Sequence, residues 1–262
     1  MLFDVQGQLN SMNLAESKAL WPLFEAVVNS IQAIEESPNK DSGKITILAE
    51  REPSTQEQLS QGQKRILEKF ESFTITDNGT GFNKANYESF QTAYSTLKIK
   101  KGCKGIGRFL WLKAFNAVEI HSVFYENGQY MKRDFSFTAE KGISPEQDNV
   151  TSSDKKLCGT SVKLCEFIPK YRNKAPVELD VVAKKIIEHC LPFFISGNCP
   201  QITIQDGITT PINLNQYFQD NIQDSLHQDH FQIKDSEFTI YHKLFEAKPG
   251  EVIHIPDVKE AK

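Results

Sequence analysis

Glu25 and Asn29 stand four positions apart in LWPLFEAVVNSIQAIEE, so on a helix both side chains leave from one stripe. A carboxylate so placed can orient and deprotonate a water. An amide oxygen can hold Mg2+, a hard cation that takes oxygen ligands. Taken alone, the pair also fits the solvated side of an amphipathic helix, which is the simpler reading. In FTITDNGTGF, Asp77 ends an alternating stretch and is followed by Gly79 and Gly81, a tight turn whose backbone can approach a flat ligand closely. The Asp77 carboxylate can accept a hydrogen bond from an exocyclic amine such as that of adenine, or it can close a hairpin as an Asx turn.

GCKGIGRFLWLKAF contributes Gly102, Gly105 and Gly107, with Ile106 between the last two, ahead of an apolar helical run. Unpaired N–H groups and the positive end of a helix dipole at such a junction suit phosphate. An ordinary glycine-rich loop remains open as an alternative. A dinucleotide fingerprint would need a preceding strand within a βαβ unit, and none is apparent. Lys98, Lys100, Lys101 and Lys104 crowd the approach, either as a solvated face or as charges that neutralise polyphosphate. In CGTSVKL, Thr160 is a good strand former whose hydroxyl can also share a water with Asp77 and the base.

These residues need elements to position them. Leu23, Phe24, Val27, Val28, Ile31 and Ile34 recur at three-and-four spacing, which predicts a helix from about Leu20 to Glu36 with Pro22 in its first turn. Alternating strands are expected at KITILAE and FESFTITD, and at about 117–125, 130–138 and 160–165, with a hairpin turning at Asn127 and Gly128. PVELDVVAKKIIEHCLPFF reads as one helix and QITIQDG as a strand. Residues 83–104 are mixed and resemble a mobile lid. Past Gly207 the composition shifts to Gln, Asn and Asp, so a boundary is expected there.

Bulk properties narrow the function classes. The chain has 262 residues, 39% of them hydrophobic, and a net charge of −4; it is long enough for a well-cored domain and has no global basic field for coating nucleic acid. Five cysteines without CxxC spacing fit a reducing cytoplasm better than a disulfide framework. No run approaches the roughly 18 apolar residues of a membrane span. His227 and His230 have a spacing that can hold a metal, but no third ligand is evident. Trp21, Trp111 and the phenylalanines fall at helix and strand periods and read as core rather than as a base-stacking platform.

In order, EAVVN, DNGTG, GCKGIG and GT resemble the four nucleotide motifs of the GHKL superfamily, which includes gyrase, the ninety-kilodalton heat-shock chaperone, histidine kinases and MutL. Their spacing is most similar to the chaperone, MutL and MORC branches, and the resemblance covers roughly residues 9–205. It implies a Bergerat-type α+β fold: a two-layer α/β sandwich with a mixed, mostly antiparallel sheet and helices on one face. It also implies a GHKL ATP-binding domain over residues 1–206, with 207–262 the start of a transducer-like or partner-binding domain that continues past Lys262. Under this resemblance Glu25 is the general base, Asn29 the Mg2+ ligand and Asp77 the adenine reader. Gly79 and Gly81 shape the base pocket, and Lys98, Gly102, Lys104, Gly105, Ile106 and Gly107 hold phosphate, while Thr160 assists at the base.

The implied activity is ATP hydrolysis with Mg2+, coupled to lid closure and self-association, and DNA or a protein partner remains open. The family's usual Asp three residues after the asparagine is here Gln32, which bears on hydrolysis more than on binding. A nucleotide-sensing module without turnover is therefore the alternative, and a protein kinase is disfavoured because no phosphoacceptor domain precedes the motifs.

Overall fold

The computed structural model describes residues 5–53, 67–92, 107–145, 149–223, 227–233 and 236–242. In chain order the elements are α1 (Val5–Ser11), α2 (Trp21–Glu35), β1 (Lys44–Arg51), β2 (Phe70–Asp77), α3 (Lys84–Gln91), α4 (Gly107–Ala114), β3 (Phe115–Glu126) and β4 (Gln129–Thr138). The short strands β5 (Gly142–Ser144) and β6 (Val150–Ser152) follow, then β7 (Gly159–Phe167), α5 (Pro169–Arg172), α6 (Leu179–His189), α7 (Leu191–Ile195), β8 (Gln201–Gln205), β9 (Ile212–Asn213) and α8 (Leu214–Asn221). A separate hairpin, β10 (His227–Ile233) and β11 (Ser236–His242), closes the described chain.

The fold is α+β. Nine strands form one open sheet in the order β5-β4-β3-β7-β2-β1-β8-β9, with β6 also paired to β4. All pairs are antiparallel except β1 with β8. Alternation divides the two faces: in β3, Val118, Ile120, Ser122 and Phe124 are buried while Glu119, His121 and Tyr125 are exposed, as period-two side-chain geometry requires. The buried face carries Ile45, Ile47, Phe73, Ile75, Val162, Leu164, Ile202 and Ile204, packed under α2, α4, α6 and α8. A sheet clothed by helices on one face is a two-layer α/β sandwich.

Local signals account for most elements. The β3–β4 hairpin turns at Asn127 (φ 51°) and Gly128 (φ 81°), the pair of left-handed residues that a two-residue turn demands. The single helix expected from Pro176 is instead two, α6 and α7, parted at Cys190. Pro192 sits in the first turn of α7, where its missing N–H costs no helical hydrogen bond. Beyond Gly207, the expected boundary, β9 pairs with β8 and α8 buries Leu214 and Phe218, with Ile222 buried just after it. The first core therefore runs on through Ile222. The sequence also suggests a short strand at about 252–255, which lies outside the described residues, and among those described no helix is long and apolar enough to cross a membrane.

One ion pair ties the ends of β1 and β8. Arg51 donates from Nε and Nη2 to Asp206 Oδ2 at 2.9 and 2.7 Å, with both side chains buried. Burial by itself would raise the Asp206 carboxyl, but hydrogen bonds from Thr209, Arg51 and Ile208 outweigh it and hold the group at about 2. A depressed carboxylate adds stability that is present above its ordinary range and is lost as pH falls towards 2. Asp206→Asn is expected to cost at least about 2 kcal/mol at pH 7, lowering Tm by roughly 4–8 °C. Thermal unfolding as a function of pH checks this, since the gap between variant and wild type should close near pH 2.

Candidate functional site

The site grows from the polar edge of α2. The apolar residues of this helix face the sheet, while Glu25, Asn29 and Ser30 point along its other edge. Ser30 donates to Asp77 Oδ2 at 2.8 Å, and the Gly79 N–H donates to Asp77 Oδ1 at 2.9 Å. Asp77 is buried, and a buried carboxylate is tolerated only when hydrogen-bonded. These two bonds fix its plane. Across the ladder Asp77 pairs with Thr160, whose hydroxyl meets Ser122 Oγ at 3.0 Å.

The turn after Asp77 is wedged between two elements. A Cβ at Gly79 would meet the Ala33 backbone of α2 at 2.7 Å, and one at Gly81 would meet the Val123 carbonyl of β3 at 2.3 Å. Gly81 also has φ +75°, a conformation costly for side-chain-bearing residues. Packing thus accounts for both glycines. Asn78 fastens the outer side by accepting from Lys44 N at 2.7 Å and donating to the Ser42 carbonyl at 2.9 Å.

Glu25, Asn29, Asp77, Gly81, Gly107 and Thr160, drawn from segments far apart in sequence, line one cavity of about 150 Å3. That volume is the scale at which an apolar cavity takes one benzene-sized ring. Gly79 is not part of the lining. Lys98, Gly102, Lys104, Gly105 and Ile106, together with Lys100 and Lys101, lie outside the described residues. Gly107 opens α4 directly against Glu25, since a Cβ there would come within 2.2 Å of Glu25 Oε2. Sequence reasoning missed Ser30, Ser122, Asn86, Phe90, Arg108 and Trp111. Only Arg108 carried a local signal, a cation in the first described turn of a helix, against the dipole.

Compared with family models and with curated proteins, the sequence matches none. The chemistry of the site therefore rests on its own geometry. Burial raises the Glu25 carboxyl above its ordinary value, which makes it a stronger proton acceptor. The Asn29 amide makes no hydrogen bond among the described residues. No cluster of three or more His, Cys, Asp or Glu side chains able to hold a metal occurs among those residues. A cation here would take Asn29 and the oxygens of a ligand, as Mg2+ does beside phosphates. His227 and His230 fall in β10.

On the sheet's open face a second, polar groove of about 620 Å3 shares Asp77 and Thr160 with the cavity. His121 Nδ1 and Asp134 Oδ1, 2.9 Å apart, are part of its lining. Because the Glu25 carboxyl is raised in the folded state, its ionised form costs stability at pH values above the ordinary carboxylate range. Glu25→Gln is expected to raise Tm at pH 7 by a few degrees, at about 2–4 °C per kcal/mol. The gain should vanish as pH falls below that range; a gain independent of pH in thermal unfolding would contradict a buried, ionisable Glu25.

Proposed function

We propose that this chain binds Mg-ATP in the α2–β2–α4 cavity and hydrolyses it, as a Bergerat-type member of the GHKL superfamily. The observation that carries the reading is the convergence of Glu25, Asn29, Asp77 and Gly107 on one cavity in the motif order of that superfamily. Asp77, held by Ser30 and Gly79, accepts the exocyclic amine of adenine, because each carboxylate oxygen can take more than one donor. Thr160, engaged with Ser122, borders the base. Glu25 takes a proton from the attacking water, its basicity raised by burial.

Asn29 offers its amide oxygen to Mg2+, and the bound ion supplies neutralisation of the charge on the phosphate oxygens. Gly107 admits the Glu25 carboxylate to the start of α4. Lys98, Gly102, Lys104, Gly105 and Ile106 belong to the phosphate contacts by resemblance. Lid closure and self-association on ATP binding are the output proposed for the cycle. The described cysteines are free thiols, which suits a reducing cytoplasm.

Phosphate release and nucleotide calorimetry test the reading. Glu25→Ala should retain ATP binding and lose turnover, whereas Asp77→Asn should lose binding. Equal, non-zero turnover in Glu25→Ala and wild type would remove the base assignment. Gly107→Ala should lower turnover about 100-fold by displacing the carboxylate. Turnover per molecule should rise with protein concentration where self-association limits the cycle, and a constant value over a wide range would count against it. The neutral, buried Gln32 favours a second reading, a nucleotide sensor without hydrolysis, which calorimetry would support by giving equal ATP and ADP affinities alongside no phosphate release.

A further inference from the structure

α4 brings two more groups to the cavity than the nucleotide motifs account for. Arg108 and Trp111 follow Gly107 at one and four positions, on the helix face that meets the cavity. Trp111 is 2% exposed and its indole N–H has no acceptor among the described residues. A buried donor without a partner costs about 1–3 kcal/mol, so an unfilled N–H on a residue that lines the cavity points to an acceptor that arrives with a ligand. Its ring rests on Phe90, which Phe82, Phe135 and Phe137 hold edge-on, and the donor therefore stands on a rigid base.

Arg108 is 8% exposed, with its guanidinium 5.2 Å from the Phe90 ring centre and 4.6 Å from that of Phe109. Burial lowers its pKa to about 10, and its position in the first described turn of α4 opposes the helix dipole. A guanidinium on the lining of a cavity can donate charge-assisted hydrogen bonds to an anionic ligand. Glu25 touches Gly107 at this end of the cavity, whereas Asp77 marks the other end beside Ser30, roughly 7.5 Å further along the α2 axis.

We propose that Arg108 and Trp111 form a donor pair that reads the terminal phosphoryl group of the nucleotide and so distinguishes triphosphate from diphosphate. This rests on the nucleotide reading above. A phosphoryl group is acceptor-only and anionic, which suits one cationic and one neutral donor; the base has no charge for Arg108 to meet.

The chain has two tryptophans, and Trp21 lies tilted against His189 under Lys18, so Trp21→Phe leaves Trp111 as the sole tryptophan emitter. Titrated with Mg2+ and adenylyl imidodiphosphate, a non-hydrolysable triphosphate, this protein should change its emission, and with ADP it should change little. In calorimetry, Trp111→Phe and Arg108→Gln should each weaken the analogue about tenfold or more while shifting ADP less than twofold. Equal losses for both nucleotides, or none for either, overturn the donor pair and leave the nucleotide site standing. Should wild type bind neither nucleotide, both proposals fall. Where a variant does not fold, the Trp111 emission decides alone: an unchanged signal with the analogue, against measured binding, refutes the assignment.

Discussion

The hydrogen bond from Ser30 to Asp77 joins the polar edge of α2 to the end of β2, and the shape of the cavity follows from it. A buried carboxylate must have donors, and here they come from a helix on one side and from its own turn on the other. Since Gly79 has no side chain, the turn can lie on Ala33, where Thr80 N–H also donates to the Ala33 carbonyl at 3.1 Å. Helix, turn and strand thus lock as one unit. Glu25, five residues before Ser30 on the same helix, is then committed to meet α4 at Gly107.

A second support lies under α3. The guanidinium of Arg133, buried in β4, donates to the Phe82 carbonyl and sits against the rings of Tyr87 and Phe124. It joins the strand meander to the segment between the glycine turn and α3, while Asn86 reaches back to the Gly81 carbonyl at 2.9 Å. The cavity floor is therefore held from both directions along the chain, by β2 through Asp77 and by β4 through Arg133. Polar groups with several fixed partners lose the freedom to reorient, which is what a site needs if its carboxylates are to keep their directions.

Much of this was legible in the sequence because the signals are local. The three-and-four spacing in α2, the alternation in β1, β2 and β7, and the Asn127–Gly128 turn each act within a few residues. Motif order was enough to bring Glu25, Asn29, Asp77, Gly81, Gly107 and Thr160 to a common cavity. What stayed hidden depends on distant partners: Ser30 answers to a residue 47 positions away, and Trp111 is set on the cavity by its packing against Phe90. Gly79 and Gly81 were visible as a turn, but their packing against α2 and β3 was not. The polar composition after Gly207 concealed α8, whose buried Leu214 and Phe218, with Ile222 beyond them, recur every fourth residue in a background of Gln and Asn.

The parallel pairing of β1 with β8 sets the order in which the chain can fold. Arg51 and Asp206 are 155 residues apart, and bringing them together closes a loop whose entropy cost is about 4 kcal/mol or more before any contact repays it. The β1–β2 and β3–β4 ladders form between near neighbours, but β8 and α8 reach the sheet only when almost the whole described chain has been synthesised. Until then the outer edge of β1 offers unpaired N–H and C=O groups, and Ile45 and Ile47 have no cover from that side. A nascent chain of this protein therefore carries an open, apolar sheet edge from the synthesis of β1 until that of β8, the kind of surface that holdase chaperones bind.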